Sequence, residues 1–178
     1  MNNKATAILL GMGIATSAFA VEAAPNTINF QGEVTEQTCE VTVNGNTADP
    51  VVLLSSVGAK DLATAGATAG ETTFTLGVTG CAAGADALPI NTVFVGNNVD
   101  ASGNLGNTGT ATNVALQLLD ASGGSAIDLT SSASVSGLEV AAGATEATHD
   151  FAVQYISKAG SATAGTVLGS VQYAIEYK

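Results

Sequence analysis

The sequence predicts an all-β sandwich. Three observations carry that prediction. Short runs alternate apolar and polar side chains, the period of a strand with one buried face. Clusters of Gly, Asn, Ser and Asp punctuate those runs at short intervals, as turns do. No stretch carries the apolar spacing of an amphipathic helix over a useful length.

The chain opens with the anatomy of a secretory signal, residues 1–20. Lys4 is a basic start, Ala5 to Ala15 is an apolar stretch containing Ile8, Leu9 and Leu10, and Ala18-Phe19-Ala20 is an A-x-A cleavage site. Val21-Glu22-Ala23 is a second acceptable site, so the mature chain is expected to begin at Val21 or Ala24. The apolar run is too short to span a bilayer and no other segment qualifies, so no membrane span is expected in the mature chain. Residues 21–36 are read as an extension and residues 37–178 as one domain, large enough for a substantial core.

Within the extension, Ile28, Phe30, Gly32 and Val34 share one face, and Thr27, Asn29, Gln31 and Glu33 share the other. A strand at an unanchored chain end pairs within its own domain or adds to another subunit's sheet. Periodicity does not say which, and Gly32 reads equally as a bulge in a first strand.

Cys39 and Cys81 are the two cysteines, both in the exported part. An even count in an oxidising compartment reads as one disulfide. It would close a loop of about 42 residues and contribute about 4 kcal/mol. A metal site is disfavoured: the chain has one His, His149, and no cysteine pair at metal spacing.

The domain then reads as strands and turns in order. Val41 and Val43 lie in a strand that breaks at Asn44-Gly45-Asn46. Val51 to Leu54 is a short apolar strand. Ala59 to Gly70 is a loop in which Lys60 to Ala63 could form one helical turn. Thr72 to Cys81 is a strand with Phe74, Leu76 and Val78 on one face. Ala82 to Ala87 is a loop, Ile90 to Val95 a strand, and Asn97 to Thr112 a long turn region. Val114 to Leu119 is a strand ended by Asp120 to Gly124, and Ala126 to Leu129 is a short strand. Ser131 to Gly143 is ambiguous, with a strand near Leu138 to Val140. His149 to Ser157 places Phe151, Val153 and Tyr155 together. Thr166 to Lys178 places Val167, Val171, Tyr173, Ile175 and Tyr177 together.

Charge and chemistry exclude several function classes. Net charge is −11, becoming −12 when Lys4 is lost by cleavage after Ala20. That surface repels nucleic acid and anionic lipid, so neither is an expected partner. Catalysis finds no base held against a nucleophile, since His149 stands alone beside Asp150. The Asp residues fall singly in turns, where they have a structural reason to be. Clustered oxygen ligands for calcium and a phosphate-binding Gly-rich loop are both lacking. No enzyme activity and no cofactor are therefore expected.

Four features, in this order behind a signal peptide, resemble the chaperone–usher pilins, the type 1-like fimbrial subunits. They are Ile28-Asn29-Phe30-Gln31-Gly32-Glu33-Val34 followed by Cys39, then Thr73 to Cys81, then Gly165 as the fourteenth residue from the end, then the penultimate Tyr177. The resemblance spans most of the mature chain and implies an incomplete immunoglobulin-like β-sandwich, the pilin fold, lacking its final strand. It implies a hydrophobic groove along Thr166 to Lys178. A periplasmic chaperone would fill that groove by strand addition, recognising Gly165, Val171, Tyr173, Ile175 and Tyr177 and holding the carboxylate of Lys178. At an outer-membrane usher, the donor strand of the next subunit would replace the chaperone. Ile28, Phe30 and Val34 would plug successive pockets, and Gly32 would meet a shallow one. The partners implied are the chaperone, the usher, further copies of the chain and other fimbrial subunits. The destination implied is a cell-surface fimbria that supports adhesion, reached through the periplasm. The size most resembles a major shaft subunit. The alternatives are a minor tip adaptor or terminator and, from other classes, a secreted carbohydrate-binding module or β-sandwich enzyme.

Overall fold

The alternating run around Phe74 becomes the longest strand of a computed structural model, which describes residues 39–48 and 50–178. The signal peptide, the extension and the strand candidates Ile28, Phe30, Gly32 and Val34 lie outside the described residues. Among the described residues, eight strands follow in order: β1 (Glu40–Val43), β2 (Ala67–Thr79), β3 (Leu88–Gly96), β4 (Leu105–Gly106), β5 (Ala115–Leu119), β6 (Ala133–Val140), β7 (Ala147–Ser157) and β8 (Val171–Tyr177). One 3-10 turn, Ala59–Leu62, sits between β1 and β2. Among the described residues, no helix is long and apolar enough to cross a membrane.

The strands form two sheets, ordered β1-β2-β7-β5-β4 and β6-β3-β8, and every pairing is antiparallel. Inward residues of the two sheets interdigitate between them, as in aligned sandwiches. Leu76, Val78 and Phe151 come from the larger sheet, Ile90 and Phe94 from the smaller, and all are fully buried. Phe94 meets Phe151 edge-on across the sandwich at 5.0 Å, and Phe74 stacks on Phe151 at 5.8 Å. Such aromatic pairs add about 0.5–1.5 kcal/mol each beyond the area they bury.

Several expectations need correction. Val51 to Leu54 is extended but belongs to no sheet, and residues 50–57 make no backbone–backbone hydrogen bond among the described residues. The alternation there is real, with Val52 and Leu54 packed on the core while Val51 and Leu53 are 75% and 84% exposed. What it lacks is a neighbour. Ala126 to Leu129 is not a strand either. Ala126 bridges Leu119 and Ile127 donates to Leu118, but Leu129 donates to Gly103, so no continuous ladder forms. Residues 166–168 bond to the loop at 107–112 instead of to a strand, through Ala111 N–H to Thr166 O and Thr108 N–H to Leu168 O, and Ser170 O accepts from Asn97 N–H just past β3. β8 therefore starts at Val171.

Other strands run longer than expected. β2 begins at Ala67 by crossing a bulge between Ala69 and Thr72. Gly70 makes that bulge possible: its φ is +64°, and a side chain there would strike Val57 and the Tyr155 ring. β6 extends back to Ala133 through Ser134, Ser136 and Gly137, whose small polar character hid the strand.

Candidate functional site

The site is an apolar groove where the sandwich is open along one side. β8 forms one lip. Its sequence alternates Val171, Tyr173, Ile175 and Tyr177 with Gln172, Ala174 and Glu176. The first set points to the core yet stays only partly buried. The β3 partners of Tyr173, Ile175 and Tyr177, which are Phe94, Thr92 and Ile90, are fully buried. The reason is topological. β8 is the last strand of its sheet and pairs with β3 alone among the described residues. Alternate N–H and C=O groups of an edge strand face away from its one neighbour, as a template for a further strand.

The extended segment at 50–54 forms the other lip. Val52 and Leu54 point into the groove and pack on the core. Between the lips lies a cavity of about 490 Å³ whose floor includes Phe94, Leu118 and Val153. No charged side chain lines it. Such a groove can bury alternate apolar side chains and offer backbone pairing to an extended peptide. Its side-chain hydroxyls are those of Tyr155, Ser170 and Tyr173.

The other residues anticipated from sequence fall at the two ends of β8. Gly165 precedes it, in the stretch bonded to the 107–112 loop. A Cβ at Gly165 would collide with the backbone of Ala111, so its smallness has a packing cause of its own. At the far end, Lys178 N–H donates to Pro89 O at 3.1 Å, continuing the ladder past Tyr177. The Tyr177 hydroxyl accepts a hydrogen bond of 3.1 Å from the backbone N–H of Cys39. Cys39 and Cys81 are joined in the expected disulfide, with Cα atoms 4.4 Å apart. The bond ties the start of β1 to the residues just after β2.

The polar residues weighed for chemistry have structural partners. His149 places Nε2 2.9 Å from the Asp120 carbonyl, and its ring meets Phe151 edge-on at 4.6 Å. Two carboxylates are shifted, and both sit in turns. At Asp100, burial raises the pKa, but hydrogen bonds from the Asn104 backbone and side chain and from Ser102 N–H outweigh it, helped by Lys158, so the net shift is downward. Asp128 is held below its ordinary value by the N–H and hydroxyl of Thr130. Neither lines the groove. Among the described residues, no three or more His, Cys, Asp or Glu gather to hold a metal.

Sequence reasoning found the β8 lip and missed the other one. Val52 and Leu54 were visible as an apolar run, but nothing in that run said it would lie unpaired at the groove.

A family model described as fimbrial protein matches residues 28–178. The chain is 38% identical to the F17 fimbrial protein of Escherichia coli over 177 residues, covering 96% of this chain and 97% of that one. It is 31% identical over 180 residues to the minor fimbrial subunit HifD of Haemophilus influenzae, covering 95% and 80%. A solved chaperone–usher pilus, described for the molecular basis of its rod uncoiling, superposes with a TM-score of 0.56 over 90% of this chain and 100% of that one. Identity there is 15%, so that likeness is one of fold.

Proposed function

This chain belongs to the fimbrial protein family and has the fold of a pilus subunit, a premise from which we propose that it is the major shaft subunit of a chaperone–usher fimbria. Its role is structural rather than enzymatic. The subunit is exported to the periplasm, held there by a chaperone strand in the groove, and handed at an outer-membrane usher to the extension of the next copy. Residues 1–20 are the signal peptide, 21–36 the donor extension and 37–178 the accepting domain.

The single observation that carries this reading is the groove. The inward side chains of β8 are only partly buried, the strand has one neighbour among the described residues, and an extended apolar segment lies opposite it. An open edge over an exposed core is an aggregation hazard unless something fills it. Strand addition fills it with backbone hydrogen bonds and side chains together. Ile28, Phe30 and Val34 suit the apolar floor, each side chain contributing about 1.5–3 kcal/mol on burial. Gly32 suits a point of close backbone approach. Val171, Tyr173 and Ile175 line the accepting edge, and Gly165, Tyr177 and Lys178 flank it for chaperone recognition. Because donor and acceptor are different surfaces of one chain, the contact is heterologous and extends head to tail without closing.

Deleting residues 21–34 tests the assembly mechanism. The deleted chain is expected to fold and be captured in the periplasm but to form no fibre, and fibres of ordinary length from it would refute the reading. Gold-labelled antibody to this chain tests the position within the fibre. Label along the whole shaft supports the major subunit. Label only at tips or bases would favour a minor subunit, the reading toward which the relationship to HifD points.

A further inference from the structure

We infer that the Tyr177 hydroxyl is a positioning group that fixes the Cys39 amide against β8, so that the start of the domain is held by both sheets and the joint between successive subunits is stiffened. The inference rests on the donor-strand reading above and adds a role inside the donating subunit. Cys39 is the first described residue of the domain, just after the extension at 21–36. Three attachments hold it. Its sulfur is bonded to Cys81, whose own N–H donates to Thr145 O at 3.0 Å. The next residue, Glu40, enters the ladder opposite Thr79 of β2. Both of those attachments bind the root to the five-stranded sheet. The third is the hydrogen bond from Cys39 N–H to the Tyr177 hydroxyl, and it binds the root to β8 of the other sheet. The strand that accepts a neighbour and the root of the segment that donates to the next neighbour are thus bonded within one subunit.

The chemistry separates ring from hydroxyl. The ring lies on the inward face of β8, opposite Ile90 of β3, and packs against the core. A phenylalanine would do that equally well. A partly buried phenol oxygen needs a polar partner, and here the partner is the amide of Cys39. A disulfide and one adjoining strand fix where the root sits but leave rotation about it open. A third contact from a different sheet removes that freedom.

The test compares full-length wild-type chain with Tyr177→Phe, each produced with the other genes of its fimbria. Two quantities are read on purified fibres: amide hydrogen exchange at Cys39, by fragment-resolved mass spectrometry, and persistence length, by electron microscopy. In the fibres that Tyr177→Phe forms, the Cys39 amide is expected to exchange about tenfold faster and the fibres to be more flexible. Tyr177→Phe fibres with wild-type exchange and wild-type stiffness would overturn the positioning role alone. Should the variant form no fibre, wild-type fibres decide: a Cys39 amide exchanging like an unbonded one overturns the role, and a protected one upholds it. Absence of the wild-type chain from any fibre would overturn both this inference and the reading beneath it.

Discussion

Leu54→Asp should separate folding of the domain from occupation of its groove. Leu54 points into the groove from the lip opposite β8 and is partly buried against the core. Removing it from the empty domain forfeits at most about 1.5–3 kcal/mol, with partial burial favouring the lower end. The new carboxylate sits at an open mouth and keeps water around it. A strand laid into the groove would displace that water, and no charged residue lines the cavity to pair with the carboxylate. An unpaired charge buried in this way costs about 3–5 kcal/mol. At about 1.4 kcal/mol per factor of ten, occupation should weaken by roughly two to three and a half orders of magnitude. The assay is thermal melting of residues 36–178 titrated with a synthetic peptide of residues 24–36. Wild-type melting should rise with peptide concentration, as binding to the folded state alone requires. Leu54→Asp should melt slightly lower and show no rise at the same concentrations. Leu138→Ala is the control, because Leu138 is buried away from the groove. It should lose about 2–5 kcal/mol of stability and still respond to peptide. A wild-type response from Leu54→Asp would refute the reasoning, as would outright unfolding of that variant.

Replacing Cys39 and Cys81 together with Ser should cost about 4 kcal/mol, from the 42-residue loop the disulfide closes, measured by calorimetry with and without reductant. Thr92 is 1% exposed and its hydroxyl has no hydrogen-bond partner, so Thr92→Val should stabilise the domain by about 1 kcal/mol in urea unfolding. Asp100 has a folded pKa below its ordinary value of 3.8, so the stability it contributes is present above about pH 4 and is lost as pH falls through the folded value. Asp100→Asn should therefore flatten the stability–pH profile below about pH 4 and leave its slope at neutral pH unchanged, as urea midpoints across that range would report.

How much was legible in the sequence depended on whether the information was local. Phe74, Leu76 and Val78 announced β2, and Phe151, Val153 and Tyr155 announced β7, because a period of two over a half-buried sheet is written in neighbouring residues. The same rule misread Val51 to Leu54. Alternation reports which face is apolar, and it is silent on whether another strand lies alongside. It overextended β8 for a similar reason, since Val167 faces inward like Val171 while its neighbours Thr166 and Leu168 bond to a loop. β6 was half hidden because Ser134, Ser136 and Gly137 carry too little apolar signal. The candidate site divides along the same line. The β8 lip was visible as alternating Val171, Tyr173, Ile175 and Tyr177. The opposite lip and the floor arise from long-range packing, and the Tyr177–Cys39 bond joins residues 138 apart in sequence. No local pattern encodes that bond.

The central claim is that the open groove is filled by the extension of another copy. Electron cryomicroscopy of the assembled fibre tests it most directly. The account predicts an added strand between β8 and residues 51–54, carrying Ile28, Phe30, Gly32 and Val34 toward the floor and continuing into the neighbouring subunit. A groove left empty in the fibre, or filled by the subunit's own residues 28–34, would contradict it.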